Sequence, residues 1–226
     1  ARQLERNFRP ALGFTSRVGV RELTGDLGYG RFIRRRDLYA QSYYSGIDMY
    51  RATLIDGGLQ TQIVTLRPLE IESRSAEAAK SYMVRTTEVL AQPFTIYRDP
   101  YRVLAVPAGR YTFTEYGLDL ESGAQRRLSG KINLRGGDFY DGTRQNVGGE
   151  VTWRPNPHVW LKAGYDLNDI ELPRGKVITR LMRLSSDISF STDLLWTTLF
   201  QYDNVSEVLG MHTRVQWVPK AGQELL

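Results

Sequence analysis

Polar and apolar residues alternate one for one through the second half of this chain, in segments of about ten residues. In 147–154, Val147, Gly149, Val151 and Trp153 fall on one side, and Gly148, Glu150, Thr152 and Arg154 on the other. The same holds for Val159, Leu161, Ala163, Tyr165 and Leu167, for Met182, Leu184, Ser186, Ile188 and Phe190, and for Leu209, Met211, Thr213, Val215 and Trp217. Leu128, Gly130, Ile132 and Leu134 continue the pattern. A repeat of two is the period of an extended strand with two unlike faces, and a helix cannot present it. The chain is therefore read as all-β.

Gly, Pro, Asn and Asp clusters cut it into strands near 24–32, 37–53, 59–73, 80–90, 110–121, 127–136, 145–154, 158–168, 177–190, 194–203 and 208–218, with a twelfth opening near 224. Short links at 33–36, 122–126, 155–157, 191–193 and 219–223, and a somewhat longer one at 74–79, alternate with 54–58, 91–109, 137–144, 169–176 and 204–207. The second set reads as mostly longer. Strands of about ten residues, with short turns at one end and longer loops at the other, match an antiparallel up-and-down transmembrane β-barrel. A soluble β-sandwich is the competing all-β fold, with strands of about five to six residues and Greek-key crossings.

The polar sides carry both signs in mid-strand. Lys131, Arg135, Glu150, Arg154, Lys162, Asp166, Arg183, Asp187, His212 and Arg214 are the candidate lumen-lining residues of such a barrel. Tyr111, Trp153, Phe190, Tyr202 and Trp217 read as an interfacial girdle on the apolar side. Strand 80–90 is ambiguous, with Tyr82, Val84 and Leu90 on one face but Met83 and Val89 on the other. Pro68 cannot donate to a ladder and marks a bulge or a strand leaving the bilayer, and 74–80 could form one helical turn.

Composition narrows the class further. With 13 Tyr, 8 Phe and 4 Trp the chain has too many buryable rings for a solvated coil. Its longest apolar run, Val103–Val106, is far too short for a membrane-spanning helix. The absence of Cys removes disulfides, thiolate metal sites and cysteine nucleophiles. Arginine dominates the basic residues and clusters at Arg34-Arg35-Arg36, yet a net charge of +5 with acids interspersed does not make a nucleic-acid surface.

Several turn and loop segments support a family reading. Asn7–Phe14 (NFRPALGF), Pro107–Tyr111, Gly123–Gly130, Gly137–Gly142, Trp153–His158 and Gln201–Asn204 resemble the C-terminal barrel of an uncharacterised bacterial outer-membrane family. In that family a carbohydrate-binding family 9-like module typically precedes the barrel. The resemblance runs from about residue 7 to the end of the chain, which lacks that module and the last strands. It implies the outer membrane of a Gram-negative-type cell, outer-membrane lipid as surroundings, and a carbohydrate-related context reached through the preceding module.

Residues 1–23 read as a lead-in segment or loop and 24–226 as a partial barrel of about eleven or twelve strands, cut at both ends and open. The expected function is a channel or surface-binding barrel, with no cofactor or resident metal. A hydrolase using His212, and a soluble sandwich acting as a binding module, are the alternatives. No nucleophile-elbow pattern accompanies His212, and the acidic loop residues Asp138, Asp141, Asp169 and Glu171 do not have EF-hand spacing.

Overall fold

A computed structural model describes residues 1–5, 18–34, 39–99, 101–220 and 223–225. The Asn7–Phe14 segment, Arg35-Arg36, and Ala221-Gly222 of the last turn lie outside these residues.

The strands are β1 (Arg2–Leu4), β2 (Val20–Phe32), β3 (Ala40–Leu54), β4 (Leu59–Ser73), β5 (Ala78–Leu90), β6 (Phe94–Arg98), β7 (Val103–Val106) and β8 (Gly109–Glu121). They continue as β9 (Leu128–Phe139), β10 (Gly142–Asn156), β11 (Val159–Leu172), β12 (Gly175–Ser189), β13 (Leu194–Asp203), β14 (Val208–Lys220) and β15 (Gln223–Leu225). Thirteen of them form one antiparallel sheet in the order β1-β2-β3-β4-β5-β8-β9-β10-β11-β12-β13-β14-β15, and β6-β7 form a separate hairpin. Apart from the excursion between β5 and β8, every neighbour in the sheet is a neighbour in sequence. The fold is an up-and-down meander whose sheet does not close on itself.

All eleven long strands lie where the alternation put them. Their ends differ, and so do the connections. The expected longer loops 137–144 and 169–176 are two-residue turns, because β9 to β12 run two to four residues further than their apolar pattern. The expected difference in loop length between the two ends is therefore absent, except for the 91–108 excursion. That excursion is not plain loop but carries the β6-β7 hairpin. Residues 74–76 turn without a helix and β5 starts at Ala78. Within 1–23, β1 pairs with the first residues of β2, Arg2 opposite Glu22 and Leu4 opposite Val20.

The register builds two unlike faces. Because directly opposite residues share a face, the row Leu134–Val147–Leu167 runs across β9, β10 and β11. Met211–Phe200–Leu184–Ala163–Val151 does the same from β14 to β10. Ile47 and Leu66 extend this apolar face through β3 and β4, and Leu27 carries it to β2. The ladder slips between Leu66 and Leu69, so Pro68 marks a bulge that keeps Leu69 and Ile71 on the apolar face. Met83 and Val89 of β5 belong to that face as well; Tyr82, Val84 and Leu90 point to the other.

The sheet is a single layer. Among the described residues no second sheet or helix covers the apolar face, where Leu184, Met211, Leu209, Val151, Trp153 and Leu27 are all at least half exposed. The accessible surface of 15447 Å² compares with about 10,500 Å² for a compact monomer of this mass. A two-sheet sandwich would have packed these rows together, and it does not form.

Among the described residues one cluster is buried. Leu104 and Val106 of β7 are fully buried against Ile170, Leu172 and Val177, ringed by Leu90, Ile96, Tyr97, Tyr111, Phe139 and Tyr140. Tyr111 thus lies inside this cluster on the polar face and is not part of an apolar-side girdle. Trp153, Phe190 and Trp217 do sit on the apolar side near strand ends, and Phe190 stacks on Trp196 at 6.4 Å between ring centroids.

Candidate functional site

The polar face carries an array of ion pairs, built by strand alternation and cross-strand register. All ten charged positions singled out from sequence lie on it. Lys131 and Glu150 are directly opposite on β9 and β10, with Nζ 3.8 Å from Oε1. Asp166 of β11 pairs with Arg183 of β12. Arg135 and Arg154 take no carboxylate among the described residues. Their guanidinium groups lie over the rings of Tyr82 at 5.5 Å and Trp160 at 4.1 Å. Lys162, Asp187 and His212 have no hydrogen bond or ion pair among the described residues, whereas Arg214 is engaged. His212 faces Leu199 across the ladder, and among the described residues it has neither a serine nor a carboxylate in hydrogen-bond contact.

The best-buried pair was not among these candidates. Glu115 of β8 accepts from Arg144 of β10 at 2.5 and 2.8 Å, reaching across the backbone of Gly137 on β9. The Glu115 side chain is 6% exposed. Gly137 opens the passage, because a Cβ there would run into the Thr114 carbonyl and the Glu115 backbone. Neither residue was singled out from sequence: Glu115 shares its side of β8 with Tyr111, which was read as apolar, and Arg144 fell one residue before the expected strand start.

A second group gathers on β3 and β4. Arg67 meets Asp48 at 2.5 Å and Glu70 at 3.8 Å, and its guanidinium lies 5.2 Å from the Tyr44 ring centre. Tyr44 itself covers Gly28 and Gly46. Asn133 donates to Asp119 at 2.9 Å. On the polar face these contacts join β3 to β4, β8 to β9 and β10, and β11 to β12.

Each end of the sheet has its own chemistry. At one end Ser73, Ser75 and Tyr39 converge on Glu77, and Arg126 from the 122–127 turn pairs with it. Hydrogen bonds from Ser73 and then Ser75 hold the Glu77 carboxyl down at about 2. At the other end the hairpin lies on the polar face. Tyr140 donates to Glu88 at 2.9 Å, and burial together with that acceptor pushes its phenol well up. Asp99 accepts from the backbone N–H of Tyr101 and Arg102, both at 2.7 Å, which fixes the hairpin tip and lowers the Asp99 carboxyl.

The acidic loop residues do not gather round a metal among the described residues. Asp169 faces Lys176 at 2.8 Å and Asp141 faces Arg174 at 3.9 Å. His158 closes a two-residue turn, its N–H donating to Asn156 Oδ1 at 2.9 Å. Comparison with protein families, curated proteins and solved structures finds no match to this chain.

Proposed function

We propose that this chain is part of an outer-membrane β-barrel that acts as a channel or a surface-binding barrel. One observation carries the proposal: a single-layer sheet exposes a continuous apolar face, while its other face is cross-braced by ion pairs. In water the apolar face has no partner among the described residues; against hydrocarbon it needs none. Strands of 10 to 15 residues through the meander are long enough to cross a bilayer at a tilt. An open edge in lipid costs several kcal/mol per unsatisfied group, so the reading requires further strands to close the sheet. The turn motifs that resemble an outer-membrane family associate the barrel with carbohydrate, which makes glycans or their breakdown products the class of solute to try first.

The test is to fold the full chain with and without detergent micelles. Heat-dependent gel mobility together with β-type circular dichroism only in detergent is the expected result. A folded monomer in plain buffer overturns it. In planar bilayers, substitutions at Lys162, Asp166, Arg183, Asp187 and Arg214 should then alter conductance or ion selectivity, and unchanged currents across that set would remove the channel.

A further inference from the structure

The excursion between β5 and β8 does not stay above its own strands. Leu104 and Val106 of β7 bury themselves against Ile170, Leu172 and Val177, which belong to β11 and β12. In the sheet β9, β10 and β11 separate β8 from β12. At the usual strand spacing that is about 19 Å along the sheet from β8 to β12. The Arg102 guanidinium and Leu104 both lie against Gly175 at the start of β12; a Cβ there would be 3.7 Å from each. The charge of Glu207, in the turn before β14, also acts on Tyr97 of β6.

The body of the hairpin is anchored. Phe94 packs on Tyr140 at 6.0 Å, and Tyr140 joins Phe113 at 5.0 Å and Tyr111 at 5.4 Å. Tyr111 donates to the Pro107 carbonyl at 3.0 Å and so pins the return strand. The buried side chains all come from the polar face: Tyr111 and Phe113 of β8, Phe139 of β9, and Ile170, Leu172 and Val177 of β11 and β12. The tip stays outside this packing, with Tyr101 at 98% exposure and Arg98 and Arg102 exposed beside it.

We propose that the β6-β7 hairpin is a fixed cap that lies across one end of the polar face and forms the narrowest point of the path along it, with Arg98 and Arg102 setting the charge of solutes that pass. The inference rests on the barrel reading above and adds where selection occurs. Solutes travel beside the tip, so anions are drawn to the two guanidinium groups and bulky solutes are held back by the hairpin body. Because the anchor is a buried apolar cluster and not a few exposed bonds, the hairpin stays in place during passage.

The experiment uses the full chain in planar bilayers of phosphatidylcholine and phosphatidylglycerol. In one variant a Gly-Ser-Gly turn replaces residues 94–106; a second, R98E/R102E, keeps the anchor and reverses the charge. The expected results are a conductance rise of at least about twofold without the hairpin, and a reversal potential moved toward cations in the charge variant. Should the shortened chain fail to fold, the charge variant still decides. Inserted protein with the same current and the same selectivity in every form, zero current included, overturns the cap and leaves the membrane reading standing. A chain that never inserts, while folding in buffer, overturns both.

Discussion

Tyr82 lies across Gly117, its direct partner on the adjoining strand, and any Cβ at 117 would overlap the tyrosine ring. The Arg135 guanidinium lies over the same ring, 5.5 Å from its centre. Glycine, ring and guanidinium thus meet on the polar face, and Tyr44 with Gly46 and Arg67 repeats the grouping two strands away. An aromatic ring over a strand glycine restores packing that glycine lacks, and the ring face then holds a cation without a carboxylate.

Gly117→Val should therefore expel the Tyr82 ring and release Arg135. The expected loss is about 1–3 kcal/mol from overpacking, read as a lower urea midpoint of the protein folded in micelles. Gly25, where a Cβ meets nothing within 4 Å, is the control, and Gly25→Val should cost much less. Equal effects at the two sites would remove the Tyr82–Gly117 contact as the cause.

Arg144→Ala strands Glu115 in a buried position. Breaking such a pair costs about 3–5 kcal/mol, while the double variant with Glu115→Gln should recover part of the loss. Denaturant midpoints of the two single variants and the double variant measure the coupling. Simple additivity would mean the carboxylate finds water instead.

The turn cluster at Glu77 predicts an acid-sensitive end of the sheet. Its carboxyl is held at about 2 against an ordinary 4.5, so the folded state favours the charged form. That contribution is complete above about pH 4.5 and is lost as pH falls through the folded value near 2. Hydrogen exchange at the 74–77 and 122–127 turns should accelerate over that window, and Glu77→Gln should remove the dependence. A variant with the same acid profile as the parent would assign the effect elsewhere.

Leu104→Ala empties part of the one buried cluster. A loss of about 2–5 kcal/mol is expected for a fully buried leucine, confined to the hairpin and its bed. Proteolysis at the 99–102 tip should quicken while the meander strands stay protected. Uniform destabilisation of all strands would show that the cluster belongs to the global core.

Strand number, order of pairing and face were legible in the second half because alternation is strict there and both faces keep their character over many residues. It failed in β5, where Tyr82 is placed by Gly117 on another strand and Leu90 by a hairpin it cannot see locally. Tyr111 misled for the same reason: its apolar ring belongs to the buried cluster and not to the exposed side. The long-looking loops at 137–144 and 169–176 concealed strand ends, since Asp, Asn and Gly there read as turn while the ladder continues to Phe139 and Leu172. The Glu115–Arg144 pair spans an intervening strand, a relation that no spacing within one segment can show.

The meander has one more consequence, in the directions of its edges. Eleven long strands alternate from β2 to β14, so the first and the last point the same way. Joined directly, those two edges would have to form a parallel ladder, foreign to every other pair in the sheet. An antiparallel seam demands an odd number of strands between them. Both short strands at the margins, β1 on β2 and β15 on β14, already run in the direction that the first inserted strand must take.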